Sequence, residues 1–307
     1  MRTESAVATI PAVHAKSVRD SVTDSVTDQE LSGLDQLELH EPRAVPLGRR
    51  LWALTWPKVA AIGLVVLAWQ TAVWLEWKKT YVLPSPLMVW HRLADDVGTV
   101  KLWTAIAATM ERAVVGFLIA VTIGALIGLA VSASRPVRTA IGSLISGLQT
   151  MPSIAWFPLA ILLFGLDDSA IYFVVVLGAA PSIANGLIGG IDSMPPLLRR
   201  VGRSMGASPV GLYRDFVVPA AMPSVVSGLK QGWAFAWRSL MAGELLVLIP
   251  GKQTIGSRLN FARDFSDSEG LIAMMIVILV IGIAVDTLVF SRLEQRVLAK
   301  RGLGALR

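Results

Sequence analysis

The chain contains no cysteine, only three histidines and few charged residues. Without cysteine it can form neither a disulfide bond nor a thiolate metal site. Charged residues make up 16% of its 307 residues, and hydrophobic residues make up 54%. Because a soluble globular domain carries about 25% charged residues, this composition excludes an ordinary soluble protein and indicates a polytopic membrane protein.

Six apolar stretches follow a polar N-terminal region, and each approaches the length of about 20 residues that a helix needs to cross a bilayer. They lie at about residues 59–75, 113–131, 141–164, 171–191, 225–248 and 271–290. Pro152 and Pro158 interrupt the third stretch and Pro181 lies in the fourth, which predicts bent helices around a cavity. We therefore predict an all-α fold with six transmembrane helices.

Both ends of the chain are polar. Residues 1–45 lack the apolar core of a signal peptide. Their composition predicts a disordered cytoplasmic tail, with a short partner-binding helix at about residues 29–39 as the alternative. We assign residues 46–296 to the transmembrane domain and residues 297–307 to a basic cytoplasmic tail.

The formal net charge of +6 indicates membrane topology rather than nucleic-acid binding. Basic residues cluster before the first span, after the second, between the fourth and fifth, and after the last. All four clusters lie on one side if both termini are cytoplasmic, which agrees with the enrichment of lysine and arginine in cytoplasmic loops. The opposite loops are mixed or acidic. The basic residues of the first outside segment count against the rule, but the balance still favours termini inside: Lys78, Lys79, Arg92 and Lys101.

The connector between the fourth and fifth spans, residues 195–223, is polar and basic. Its sequence predicts two short helices, because Gly206 is a typical helix stop and Ser208 followed by Pro209 is a typical restart. Pro219 is expected to end the second helix. From these residues alone two roles remain open: a docking surface for a soluble partner, or an amphipathic connector lying on lipid headgroups.

In this connector Gly206 is followed by nine residues, then Phe216, one residue, Val218 and Pro219. The pattern resembles the cytoplasmic loop signature of bacterial ABC importer permeases. Segments 83–86, 152–158 and 237–244 resemble the branch that imports nitrate, taurine and aliphatic sulfonates, so that the resemblance covers about residues 51–296. One departure is Arg200-Val201-Gly202, which stands where the family often has Glu-Ala-Ala.

The resemblance implies the type I ABC importer permease fold, in which the connector forms coupling helices that sit in a cleft of an ATPase subunit. An arginine of the connector is expected to meet an acidic groove there. By position, the resemblance assigns ATPase coupling to Arg203, Gly206, Ala207, Ser208, Pro209, Tyr213, Phe216 and Pro219.

The same resemblance implies a set of partners. These are a second permease copy in a homodimer, two ATPase subunits that use ATP and Mg²⁺, and an extracellular or periplasmic substrate-binding protein. The chain itself is expected to bind no cofactor or metal, to catalyse no covalent step and to lie in the bacterial inner membrane.

The fifth span contains ionisable residues, which are costly at membrane depth. One helical face carries small residues at every fourth position, which predicts close helix packing: Ser224, Gly228, Gly232 and Ala236. The opposite face and its neighbours are predicted to line a translocation path: Lys230, Trp237, Arg238, Met241 and Glu244. Gln149 and Met151, before the bend at Pro152, are added as constriction residues. The alternative is a structural salt bridge of Arg238 and Glu244 with a neighbouring residue.

A cationic path favours a small anionic substrate such as a sulfonate, taurine or nitrate. The main alternative function is an ion-gradient-driven secondary transporter, which would need an inverted repeat and carboxylates near the membrane midplane. Neither is evident in the sequence. A membrane scaffold without transport activity is disfavoured by the charges of the fifth span. No histidine lies in a span to activate a serine, which argues against an intramembrane protease.

Overall fold

The structure, a computed structural model, describes residues 47–133 and 135–299 of the chain. These residues form helices and turns, with no β-strand among them. The predicted N-terminal tail and residues 300–307 of the predicted basic tail lie outside the described residues. The chain divides into two compact units, Met1–Val66 and Leu67–Arg307, which are described separately.

The first helix, α1, covers Leu47–Trp74, so it begins in the first unit and ends in the second. Its apolar portion, Thr55–Trp74, has the length and composition of a membrane span, and it contains the span predicted from about residue 59. Pro57 lies inside the helix without ending it.

The second unit contains the remaining described helices. They are α2 (Pro86–Val97), α3 (Val100–Ala133), α4 (Arg135–Thr150), α5 (Phe157–Phe164), α6 (Asp168–Asp192), α7 (Pro196–Ser204), α8 (Pro209–Leu212), α9 (Val218–Leu246), α10 (Ile255–Asp264), α11 (Ser268–Val285) and α12 (Arg292–Ala299). A 3-10 turn, Ser153–Trp156, precedes α5, and π-helical turns at Tyr213–Val217 and Asp286–Ser291 precede α9 and α12.

Length and composition identify fewer membrane spans than the six predicted. Among the described residues, four segments qualify: Thr55–Trp74, Val100–Ser132, Asp168–Asp192 and Ser268–Ala299. The pair Ala140–Thr150 and Ser153–Phe164, bent by 99°, adds a fifth if it is one span. The predicted fifth span corresponds to α9, which does not qualify and which carries Lys230, Arg238 and Glu244. Its side chains are buried mainly by neighbouring helices.

Helix α6 forms the centre of the second unit, since Ala170, Ile171, Val174 and Val175 on it are fully buried in the largest apolar cluster. It packs against α3 on one side and α9 on the other. Pro181 lies inside α6 and does not end it. The central position of α6 explains why its sequence is apolar on most of its circumference.

The predicted small-residue stripe of α9 packs against α6, which confirms its assignment. A β-carbon added to Gly228 would lie 2.7 Å from the Cα of Gly186, and one added to Gly232 would lie 2.7 Å from Cγ1 of Ile183. Backbones can approach this closely only where side chains are absent. The glycines therefore determine the spacing between α6 and α9.

Helix α10 is a feature that the sequence analysis missed. It begins with a capping box, in which Thr254 Oγ1 accepts from the Ser257 backbone N–H (3.2 Å) and Ser257 Oγ accepts from the Thr254 N–H (2.8 Å). The Thr-x-x-Ser spacing was the available signal. Ile255, Gly256 and Asn260 are buried, so α10 packs into the bundle as part of its interior.

The α6–α9 contact provides a stability test. Gly228→Ala places a methyl group against the backbone of Gly186, and we expect it to lower the free energy of unfolding by about 1–3 kcal/mol. Gly189→Ala is the matched control, because nothing lies within 4 Å of the added carbon there. Thermal unfolding of the detergent-solubilised variants measures both. Equal unfolding temperatures for the two variants would contradict the close approach.

Candidate functional site

The connector between α6 and α9 folds back on itself. After α7, Gly206 adopts a φ of 76°, a left-handed conformation that favours glycine. Ser208 Oγ then accepts from the Gly211 N–H at 3.1 Å and caps α8. Both features confirm the predicted stop and restart. Pro219 does not end the second helix, because it lies in the first turn of α9, where proline needs no N–H partner.

The two halves of the connector contact each other at Gly202. A β-carbon at that position would lie 2.5 Å from Cδ1 of Leu212 and 3.3 Å from Cδ2 of Phe216. Gly202 and Leu212 are buried, and Phe216 is partly buried. Gly202 is the last residue of the Arg200-Val201-Gly202 segment, which differs from the Glu-Ala-Ala common in the resembled family. Because it has no side chain, it permits the two halves of the connector to pack together.

One row of α7 is apolar and exposed. Leu197, Val201 and the adjoining Met205 are spaced by four residues and so share a helical face. Their side chains are 67%, 39% and 73% exposed. Arg200 and Arg203 beside them are also exposed. Several large apolar side chains exposed on one face are typical of an interaction surface.

The predicted coupling residues divide between the surface and the interior of the connector. Arg203, Gly206 and Ser208 are exposed, and Ala207 is partly buried. Phe216 packs towards Gly202. In the backbone, Pro209 begins α8 and Tyr213 begins the π-helical turn.

The predicted path residues of α9 do not form one exposed face. Trp237, Met241 and Glu244 are buried. The exposed polar row is instead Ser227, Gln231 and Arg238. These positions are separated by four and seven residues, so they lie along one side of the helix. Sequence reasoning missed Ser227 and Gln231, although this spacing was visible.

Lys230 belongs to a contact between α9 and the C-terminal helix. Its Nζ lies 3.4 Å from Ser291 Oγ and 3.4 Å from Glu294 Oε2, and 3.8 Å from Asp286 Oδ2. It therefore pairs with carboxylates of the chain itself. The structure does not bring Lys230 together with the other predicted path residues.

Glu244 is the most buried charged residue of α9, with 1% of its surface exposed. Its carboxylate accepts from Thr109 Oγ1 and the Gly256 N–H, both at 3.0 Å, and from Arg112 Nη1 at 3.4 Å. Thr109 Oγ1 also accepts from the Ile255 N–H at 3.0 Å. Glu244 thus joins α3, α9 and α10, and its charged partner is Arg112 rather than Arg238.

The same network continues to α6. Arg112 Nε lies 2.7 Å from Asp168 Oδ1, and Lys252 Nζ donates to Asp168 Oδ2 at 2.5 Å. This hydrogen bond and the negative charge of Asp168 raise the pKa of Lys252. The Lys252 side chain itself is exposed, and it meets Asp168 from the surface. We refer to Thr109, Arg112, Asp168 and Glu244 as the buried charge network. Its location inside the bundle indicates a structural role for Glu244.

A cavity of about 350 Å³ lies where α4 ends and the chain bends towards α5. It brings together three predicted path residues, Gln149, Met151 and Arg238, with Ser153 and Phe235. Gln149 Nε2 donates to Ser182 Oγ at 3.1 Å, which anchors the end of α4 to α6. The guanidinium carbon of Arg238 lies 5.5 Å from the centroid of the Phe235 ring. The bend at Pro152 and Arg238 of the exposed row of α9 therefore meet in one cavity, whose lining is mainly apolar.

Comparison with known proteins agrees with the resemblance found in the sequence. The family described as "Binding-protein-dependent transport system inner membrane component" matches residues 120–299. A protein of Escherichia coli named as an aliphatic sulfonates transport permease is 30% identical over 230 residues, which cover 75% of this chain and 86% of that protein. The taurine transport system permease protein of the same organism is 25% identical, covering 74% of this chain and 84% of that protein.

Solved structures support the fold. A chain from inward-facing structures of the MetNI methionine ABC transporter has a TM-score of 0.54 and 18% sequence identity. The match covers 64% of this chain and 96% of that chain. At this identity the likeness concerns the fold alone.

The buried charge network predicts unequal effects of removing two glutamates. Glu244→Ala leaves Arg112 without one of its two carboxylate partners in a buried site, and we expect a loss of about 3–5 kcal/mol in unfolding free energy. Glu294→Ala removes a partly exposed partner of Lys230 and should cost less than about 1 kcal/mol. Thermal unfolding in detergent compares the two variants. An equal or larger loss for Glu294→Ala would contradict the structural role of Glu244.

Proposed function

The chain belongs to the family of binding-protein-dependent transport system inner membrane components, and from this premise we propose how it couples ATP hydrolysis to transport. The chain is an ABC importer permease and a multi-pass membrane protein, and the family consists of non-catalytic membrane subunits. We propose that two copies form a homodimer in the bacterial inner membrane. Two ATPase subunits, which bind ATP and Mg²⁺, would dock on the cytoplasmic side, and a binding protein would deliver substrate outside.

The exposed row of α7 is the observation that carries the coupling proposal. Leu197, Val201 and Met205 present apolar surface that the connector does not cover, and Arg203 lies beside them. An apolar ridge flanked by arginines suits insertion into a cleft with acidic edges. This surface would replace the contact that the family often makes through Glu-Ala-Ala. The predicted coupling residues Gly206, Ala207, Ser208, Pro209, Tyr213 and Phe216 would then hold the ridge in position.

Basic residues on several elements support a cytoplasmic position for this surface. Arg138 on α4 forms an ion pair with Asp192 at the end of α6, immediately before the connector. Arg292 and Arg296 lie on α12, whose Glu294 contacts Lys230 in the part of α9 that follows the connector. Lysine and arginine are enriched on the cytoplasmic side, so this arrangement favours both termini inside.

The exposed row of α9 supports a path along this helix, which we propose as a further membrane span, the fifth of six in chain order. An arginine facing lipid costs about 2.5–3.5 kcal/mol at the centre of a span, so Arg238 is expected to face water or a second copy. Gln149 and Met151 border the same cavity. We propose Gln149, Met151 and Arg238, with Ser227 and Gln231, as path residues, and we assign Lys230 and Glu244 to structural contacts.

The substrate proposal follows from this path and from the relatives. Relatives are named for transport of taurine and aliphatic sulfonates, and Arg238 makes the path cationic. We propose import of a small anion of the sulfonate, taurine or nitrate type.

A charge placed on the apolar row tests the coupling surface. Met205→Glu buries a carboxylate against the ATPase cleft, so we expect at least a tenfold loss of co-purified ATPase and of ATP-dependent transport in proteoliposomes. Arg203→Glu should weaken the association in the same direction. Transport by the permease alone in response to an ion gradient would instead support a secondary transporter.

Met88→Glu is the matched control. Met88 is an exposed methionine on α2, away from the connector, and the same substitution there should leave ATPase association unchanged. Retention of the ATPase by Met205→Glu, or equal loss in both variants, would reject the surface.

A further inference from the structure

We propose that the cavity at the bend between α4 and α5 binds the oxyanion group of an organic monoanion with a short hydrocarbon chain, and that it disfavours zwitterions. This inference rests on the proposed function, because it assigns a substrate class to the same path. Of the sulfonate, taurine and nitrate types, it selects the sulfonate type.

The cavity is positively charged. Arg238 lines it, and among the described residues no carboxylate lies within 4 Å of its guanidinium group. None of the described residues that border the cavity is an aspartate or a glutamate. The only acidic residue of α9, Glu244, is held in the buried charge network by Arg112. An anion that enters the cavity therefore meets a cation that no carboxylate of the described chain neutralises.

Neutral polar groups beside Arg238 suit an oxyanion. Ser153 borders the cavity with a hydroxyl group. Gln149 uses one amide N–H for Ser182 and has a second. A sulfonate has three acceptor oxygens, which a guanidinium group can bind through two parallel N–H groups while a hydroxyl or amide donates to the remaining oxygen.

Most of the remaining lining is apolar, with Thr150 as a further polar residue. Leu148, Met151, Ile154, Phe235 and Ala242 surround the polar groups. The cavity volume of about 350 Å³ is well above the ~30 Å³ that one water molecule occupies in the liquid. A compact inorganic anion such as nitrate would leave much of this apolar surface in contact with water. A short alkyl chain attached to the anionic group would cover it.

An ammonium group has no favourable position in the same space. It would share the cavity with the positive charge of Arg238, and the lining formed by the described part of the chain contains no carboxylate to compensate. Phe235 offers its ring to a cation, but the Arg238 guanidinium already lies 5.5 Å from the ring centroid. Desolvation of an ammonium group without a partner is unfavourable. Taurine, which carries both a sulfonate and an ammonium group, should therefore bind more weakly than an alkanesulfonate.

Binding to the permease itself tests this inference without the selectivity of the binding protein. The permease with its co-purified ATPase, reconstituted in nanodiscs, is titrated by calorimetry with 1-butanesulfonate, taurine and nitrate. We expect 1-butanesulfonate to bind at least tenfold more tightly than either taurine or nitrate. Equal or tighter binding of taurine would overturn the discrimination against zwitterions, and equal binding of nitrate would overturn the role of the hydrocarbon chain.

Substitutions of residues that line the cavity test whether the anion binds there. Arg238→Gln should reduce 1-butanesulfonate affinity at least tenfold, whereas Arg263→Gln, at an exposed arginine that pairs with Asp264 on α10, should not. Gln149→Glu adds a carboxylate beside the cavity and should raise the affinity for taurine relative to 1-butanesulfonate. This gain keeps the test valid if Arg238→Gln does not fold. Unchanged selectivity in Gln149→Glu together with unchanged affinity in Arg238→Gln would overturn the site.

The ATPase activity of the same nanodiscs separates this inference from the proposed function. If ATP hydrolysis still depends on the exposed row of α7 while 1-butanesulfonate fails to bind, the substrate assignment fails and the coupling proposal stands. If Met205→Glu retains the ATPase, the coupling proposal fails irrespective of what the cavity binds.

Discussion

A carboxylate buried among helices must be paired. Glu244 is such a carboxylate, and its pairing connects several helices of the structure. Its partners come from α3 and α10, and Arg112 extends the pairing to Asp168 at the start of α6. Breaking a buried pair is far more costly than the pair is stabilising, so these helix ends are constrained to move together. The cavity at Arg238 lies six residues away along the helix that carries Glu244.

Helix α9 connects the two surfaces to which we assign function. It begins at Val218, directly after the connector, and Arg238 lies twenty residues later, about 30 Å along a continuous helix. Its glycines hold it against α6, which also contacts the end of α4 through Ser182 and Gln149. A displacement of the connector by an ATPase would therefore act on a rigid pair of helices that borders the cavity. This is the physical basis of the proposed coupling.

Local chemistry decides several features of this structure, and these could be predicted from the sequence. The stop at Gly206, the cap at Ser208 and the break at Pro152 follow from backbone preferences of single residues, and the small-residue stripe of α9 follows from helical periodicity. Prediction from the sequence was wrong where a residue acts through its neighbours. Pro219 lies in the first turn of α9 because this helix extends further back than its apolar run. Helix α10 was missed because its capping signal is short and its sequence is only weakly apolar.

The sequence by itself determined that this protein is helical, that it belongs in a membrane and that its fourth and fifth spans are joined by the loop of an ABC importer permease. These properties depend on composition, periodicity and motifs within short segments. Only the tertiary structure decided which charges of α9 are paired and which are exposed. Glu244 and Arg112 are 132 positions apart in the sequence, and no local pattern reports a contact that arises from the packing of separate helices. For the same reason, only the structure shows that Trp237, Met241 and Glu244 are buried and that the exposed polar row consists of Ser227, Gln231 and Arg238.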